Sequence, residues 1–243
     1  MPQRTKTLPM ALFNSDTFEI PALHPAGWPF VAGAGVVWVL FTWALGTFGF
    51  FFGLIIVAWV AYFFRDPTRF TPIRPGLVIS PADGKVCAVG DAVPPAELGM
   101  GTDPLPRVSI FLNLLDVHVN RIPVDGTIVG TYTAGTLNLS AADPRSSDEN
   151  KRLSIKQKLN DGREIAYVQV AGLVARQIIN TLKADQAVKV VERFGIIRFG
   201  SRADVFLPSG TAMLVAVGQK MVGGETVLAD LNGSEPQRTV EVR

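Results

Sequence analysis

The chain has 243 residues, enough for one or two domains with a real core, and 48% of them are hydrophobic. Lysine and arginine number 23 against 21 acids, a net charge of +2 that gives no case for a nucleic-acid partner, and no basic stripe with interleaved aromatics occurs. A single cysteine excludes an intrachain disulfide and, with only two histidines, leaves too few of the usual ligands for a zinc site, so no metal is expected.

Residues 1–27 carry Arg4 and Lys6 and read as a cytoplasmic segment, with His24 as a loop residue. From Trp28 to Phe64 there is no Asp, Glu, Lys, Arg or His. That run is too long for a signal-peptide core and for one spanning helix of about 20 residues, and it suits two short ones. The glycines of Leu45-Gly46-Thr47-Phe48-Gly49 mark the break, which predicts arms over Phe30–Leu45 and Phe48–Phe64. Trp28, Trp59 and Tyr62 suit the membrane interface. Arg4 and Lys6 before the hairpin, and Arg65, Arg69 and Arg74 after it, place both ends in the cytoplasm. The expectation is a cell (inner) membrane anchor over 28–64 and a catalytic domain over 65–243 that folds without it.

Past Arg65 the segments Gly76–Ser80, Lys85–Val89, Val108–Leu112, Gly126–Thr131, Glu164–Val170 and Ala212–Val217 are short, rich in Val and Ile, and bounded by Gly, Pro, Asp or Asn. They predict a mainly β fold, an antiparallel domain with few short helices. Asn160-Asp161-Gly162 is a hairpin turn. Leu173–Asn180 and Asp185–Val191 are candidate helical turns, and Cys87 is expected as a small buried residue in a strand. Val215–Leu228 has the look of half a hammerhead from a biotinyl or lipoyl carrier domain, but Lys220 lacks the carrier sequence and reads as an exposed turn lysine.

Three stretches carry reactive groups: Ser80-Pro81-Ala82-Asp83-Gly84-Lys85, Asp116-Val117-His118-Val119-Asn120-Arg121-Ile122-Pro123, and Phe199-Gly200-Ser201-Arg202-Ala203-Asp204-Val205-Phe206-Leu207-Pro208. Taken singly each is ordinary, since a turn aspartate caps its own backbone and Gly-Ser is a common turn. In this order they resemble the short bacterial and archaeal type of phosphatidylserine decarboxylase, a pyruvoyl-dependent family. Arg65-Asp66-Pro67, Ser147-Asp148-Glu149-Asn150-Lys151-Arg152 and Val170-Ala171-Gly172-Leu173-Val174-Ala175-Arg176 extend the resemblance from about Phe30 to about Ala229.

The resemblance implies a chain that cleaves itself at Gly200–Ser201. The Ser201 hydroxyl attacks the Gly200 carbonyl, and elimination then leaves a pyruvoyl group in place of Ser201, so residues 1–200 and 201–243 stay together as a heterodimer. Serine needs a base, and the base needs an orienting group, roles that His118 and Asp83 can fill. The pyruvoyl ketone then condenses with the amine of phosphatidylserine and accepts the electron pair as carbon dioxide leaves, giving phosphatidylethanolamine after His118 protonates the α-carbon.

Longer relatives have a second histidine three residues on, where this chain has Arg121; Phe199 and Arg202 also differ from the long forms. His118 therefore serves both steps, or Arg121 or water takes one. Two rivals are a non-catalytic membrane adaptor, which leaves Asp83, His118 and Ser201 unexplained, and a serine hydrolase, which lacks the Gly-x-Ser-x-Gly elbow.

Overall fold

Gly46 folds the apolar segment back on itself. In the computed structural model, which describes residues 21–141, 143, 145–172, 178–197 and 200–238, helix α1 (Trp28–Phe63) is interrupted at Gly46, with φ 57° and ψ −137°. A residue without Cβ adopts that backbone at least cost. The returning arm packs on the first: the Trp38 indole N–H donates to the Phe50 carbonyl at 2.9 Å. At the open end Phe30 stacks on Phe64 with ring centroids 5.0 Å apart. Strand β1 (Ala22–Leu23) pairs with β2 (Arg65–Asp66) and ties the two feet together. His24 caps the short turn Pro25–Gly27, its Nδ1 accepting from the Ala26 N–H. Arg4 and Lys6 lie outside the described residues.

Beyond the hairpin the chain forms β3 (Leu77–Ile79), β4 (Gly84–Ala92), β5 (Leu105–Leu112), β6 (Val119–Arg121), β7 (Gly126–Ala134), β8 (Arg152–Leu159), β9 (Glu164–Val170), β10 (Ile178–Asn180), β11 (Ala187–Val188), β12 (Arg193–Ile197), β13 (Ser201–Phe206), β14 (Lys220–Met221) and β15 (Val227–Asp230), with one short helix, α2 (Ser146–Glu149). The fold is mainly β, as expected. An antiparallel sheet runs in the order β11-β7-β8-β9-β13-β5-β4-β14, and a smaller one in the order β10-β12-β6. Alternating Val and Ile put one face of each strand inward, and Val86, Ile110, Ile155, Ile165 and Val205 are buried in the core. The small sheet packs on the large one through Phe194 and Tyr167, whose rings are 5.2 Å apart. Asn160-Asp161-Gly162 makes the β8–β9 turn, with Gly162 at φ 90°.

Four local expectations change. Asp185–Val191 holds the two-residue strand β11 rather than a helical turn, bracketed by Asp185 and Val191 at positive φ. In Leu173–Asn180, residues 178–180 are strand β10 and residues 173–177 lie outside the described set. Ala212–Val217 makes only an isolated bridge, Met213 to Ala229; Met213, Leu214 and Val215 are buried by packing, while Val217 is exposed. Cys87 is exposed: it follows buried Val86 and, by strand alternation, lies with exposed Lys85 on the outer face of β4. Lys220 is exposed as expected and opens β14 against Lys85.

Candidate active site

Two chain crossings bring His118 and Ser201 into one neighbourhood. Strand β5 ends at Leu112, which pairs with Ser201 at the start of β13. The chain then turns through Asn113–Asp116 to His118. Strand β12 returns alongside, its Ile197 N–H donating to the His118 carbonyl at 3.3 Å, and leads on to Gly200–Ser201. His118 and Ser201 are both wholly buried. Among the described residues neither the Ser201 Oγ nor the His118 Nε2 has a hydrogen-bond partner. Buried polar atoms are rarely left so, and where they are a chemical role is a common reason.

The histidine is fixed in one tautomer. Its Nδ1 lies 2.9 Å from the Asp116 carbonyl oxygen, which can only accept, so Nδ1 carries the proton and Nε2 the lone pair. The Phe63 ring covers one face of the imidazole. Burial pushes the His118 pKa down to about 4; the bond to Asp116 opposes that fall and Arg65 adds to it. At neutral pH the side chain is an uncharged base.

Asp83 is placed differently from the expected triad. Its two carboxylate oxygens accept from one Arg69 guanidinium nitrogen, each at 2.9 Å, and one also accepts from the Gly223 N–H at 2.7 Å. No hydrogen bond joins it to His118, whose orienting partner here is the Asp116 backbone. Asp83 instead secures the Ser80–Gly84 turn, and the Pro81 carbonyl of that turn accepts from the Arg121 N–H at 2.9 Å, behind the strand that follows His118. The Arg121 guanidinium is also committed: it donates to Asp66 at 2.6 Å and to the Pro67 carbonyl at 2.9 Å, and Arg193 holds the other Asp66 oxygen. A buried guanidinium locked in this way is a brace and a poor proton donor.

At the Gly200–Ser201 step, Gly200 has φ 58°, the left-handed region. The β9–β13 register pairs Arg202 with Val170, so Gly200 comes to oppose Gly172 just past the ladder's end. A Cβ on Gly172 would overlap the Gly200 carbonyl oxygen. The Gly200 carbonyl therefore sits in a space that only a glycine at 172 leaves open. On the other face of β13, Arg202 is clamped by Asp204 at 2.8 Å, by the Ser146 and Ser147 hydroxyls and by the Ala141 carbonyl. From the Ser147–Arg152 motif, Ser147 thus helps to hold the strand that begins at Ser201, and Asn150 donates to the Leu139 and Ala171 carbonyls. Arg198, Phe199 and residues 173–177 lie outside the described residues.

Residue types alone did not single out Asp116, whose contribution is a backbone carbonyl, nor Arg69 or Gly172. They also missed Asn120 and Gln169. These two are fully buried, joined at 2.6 Å, and each keeps one unpartnered side-chain atom in the same inter-sheet layer. The signal for that pair was an amide at an inward-facing strand position.

The phosphatidylserine decarboxylase family model matches residues 56–229. A phosphatidylserine decarboxylase proenzyme of Paramagnetospirillum magneticum is 51% identical over 91% of this chain and 92% of its own length. One of Cereibacter sphaeroides is 48% identical over 96% of this chain and its whole length. With the fold, the buried Ser201 and His118 and the matched span all in agreement, this chain belongs to the phosphatidylserine decarboxylase family and is a decarboxylating enzyme.

Proposed function

We propose that the chain is a proenzyme that cuts itself between Gly200 and Ser201, and that the matured enzyme decarboxylates phosphatidylserine to phosphatidylethanolamine and carbon dioxide at a membrane surface. The observation that supports this reading is that Ser201 Oγ and His118 Nε2 are both buried without a hydrogen-bond partner among the described residues, with Gly200 left-handed just before Ser201. His118 Nε2 takes the Ser201 hydroxyl proton, and the oxygen attacks the Gly200 carbonyl carbon as the peptide nitrogen leaves with a proton. The resulting ester links Gly200 to the Ser201 side chain. Loss of the Ser201 α-proton and cleavage of the Cβ–O bond release Gly200 as a carboxylate. Water then replaces the Ser201 nitrogen, which departs as ammonia, and leaves a pyruvoyl terminus.

That group supplies a ketone which condenses with the substrate amine and takes up the electron pair left by departing carbon dioxide. Ser201 fits its origin, since its oxygen is unbonded and its strand is clamped by Arg202. His118 serves twice. Uncharged at rest, its Nε2 can take a proton from water and pass it to the carbon that lost carbon dioxide. Asp83 acts at one remove, through Arg69 and the turn that backs β6.

Helix α1 is apolar on all sides, and Trp43 and Phe48 near its bend are exposed, so among the described residues no protein face covers that end of the hairpin. Each arm is about 26 Å long, close to the hydrocarbon thickness of a bilayer. We read residues 28–64 as a hairpin anchor in the cell membrane with the β-domain on the cytoplasmic side, which lets the lipid substrate stay in the bilayer.

Intact-mass analysis of the purified protein tests the reading. Two pieces, 1–200 and a pyruvoyl-blocked 201–243, are expected. A single full-length chain in protein active on phosphatidylserine would contradict it.

A further inference from the structure

The turn that delivers His118 also presents two leucines to solvent. Leu114 and Leu115 are 47% and 59% exposed at its tip. The turn is stiff. The Leu115 N–H donates to the Asn113 side-chain oxygen at 2.7 Å, the Asn113 N–H to the Asp116 carboxylate at 2.8 Å, and the Asp116 N–H to the Asn113 carbonyl at 3.1 Å. An exposed leucine pair held this firmly gains nothing inside the protein, so it points outward to something apolar.

Its position says what. Arg65, directly after the hairpin, donates to the Leu115 carbonyl at 2.7 Å and to the Tyr62 carbonyl at 2.9 Å, with its guanidinium 3.7 Å above the Tyr62 ring. The leucine tip is thus bolted to the foot of α1 at Tyr62. A cation packed on an interfacial tyrosine suits the depth of lipid phosphates. Two side chains are far too little for a stable protein interface, which needs roughly 800 Å² per partner. They are enough to wedge between headgroups where a larger anchor already holds the molecule.

We propose that the Leu114–Leu115 turn inserts into the same bilayer leaflet as the hairpin, a second lipid contact that sets the height of the reaction centre above the headgroups. The idea rests on the membrane reading of α1. The turn is in series with the chemistry, because the carbonyl of Asp116 holds the His118 ring.

The test uses full-length Leu115→Cys in a Cys87→Ser background, labelled with a polarity-sensitive fluorophore and mixed with phosphatidylethanolamine/phosphatidylglycerol vesicles. Flotation with the lipid, quenching by spin-labelled acyl chains and protection from iodide are expected. Protein that floats while its label stays open to iodide overturns the insertion and leaves the hairpin anchor standing. A label protected from iodide but not quenched by lipid means a protein partner, and also overturns it. Protein that fails to float removes the membrane reading itself and this inference with it. In parallel, Leu114→Ser/Leu115→Ser should self-cleave normally, lose roughly tenfold in turnover on bilayer phosphatidylserine, and stay within about twofold of the parent on a monomeric short-chain analogue. Equal loss on both substrates would make the leucines a support for His118 alone.

Discussion

The ring of Phe63, the last residue of the hairpin, lies 4.3 Å from the imidazole of His118, centroid to centroid. Phe63 and Phe64 pack with Val117, Val119 and Ile196, so the packing runs straight across the Phe64–Arg65 step. The sequence suggested that a chain beginning at Arg65 would fold and process itself. Losing two buried phenylalanines costs about 3 kcal/mol or more each. Truncation to 65–243 is therefore expected to give unstable protein that processes poorly. Replacing residues 31–58 with a short flexible linker, which keeps Trp59–Phe64, should preserve self-cleavage and abolish vesicle flotation. Gels and flotation of both variants check this.

Ser201→Ala is expected to remain one uncut, inactive chain with an unchanged fold, because a side chain without oxygen cannot attack Gly200. Ser201→Cys and Ser201→Thr keep a nucleophile on Cβ and should cleave slowly. A time course on denaturing gels, with circular dichroism as the fold control, separates these outcomes.

Protonation of His118 gives a pH signature. Its pKa lies near 4 against an ordinary value of 6.5, so Nε2 is a free base throughout the neutral range. Self-cleavage of freshly unblocked precursor should be flat from pH 8 down to about 5.5 and fall only toward pH 4. Stability follows the same group. Between pH 6.5 and 4 the unfolded chain binds a proton that the folded chain refuses, so stability drops as pH falls through that window, by about 3 kcal/mol in all, and this contribution is complete above it. Denaturant titrations of the Ser201→Ala precursor against its His118→Phe derivative measure the difference.

Gly172→Ala should stall maturation. The added Cβ has no room beside the Gly200 carbonyl oxygen, and shifting that carbonyl by an ångström misaligns it with Ser201. A loss of roughly a hundredfold in cleavage rate is expected from such a displacement. The measurement is the half-time of precursor loss; an unchanged half-time would mean that the two strands part easily at this point.

Asp83→Asn should accumulate precursor while the matured fraction keeps substantial turnover, since the bracing of β6 matters most when Ser201 and Gly200 must meet. The bond to Arg69 adds a sharper expectation. If Asp83 works through that pair, Arg69→Met should slow cleavage to a similar degree and the double variant should be little worse than either single one. Normal cleavage in Arg69→Met with arrest in Asp83→Asn would return the carboxylate to direct action on His118.

Much of this architecture was legible in residue order. Short Val/Ile runs between turn residues marked β3, β4, β5, β7 and β9, Asn160-Asp161-Gly162 marked their tightest turn, and the glycines at 46 and 49 marked the reversal of the hairpin. These are local signals, and local chemistry enforces them. What stayed hidden depends on distance along the chain. Nothing near Asp83 announces that Arg69 takes its carboxylate, or that Asp66 takes Arg121 from 55 positions away. The group that orients His118 is a carbonyl, which every residue has. Val191 at φ 69° is held by its N–H bond to the Ile122 carbonyl, a constraint that no β-branched residue advertises.

Strand β13 lies between β9 and β5, and β14 and β15 pair with β4 and β3. The three described strands that follow Gly200 therefore thread into partners that precede it. If the chain is cut at Gly200–Ser201, the break falls at the edge of an already finished weave, and the pieces have no reason to part. The reverse journey is closed: once melted, the two polypeptides must find each other as strangers, with a central strand missing from the larger one. The mature enzyme would then be a form reached only through its own history, its lifetime set by how slowly it unravels and not by a balance it can return to.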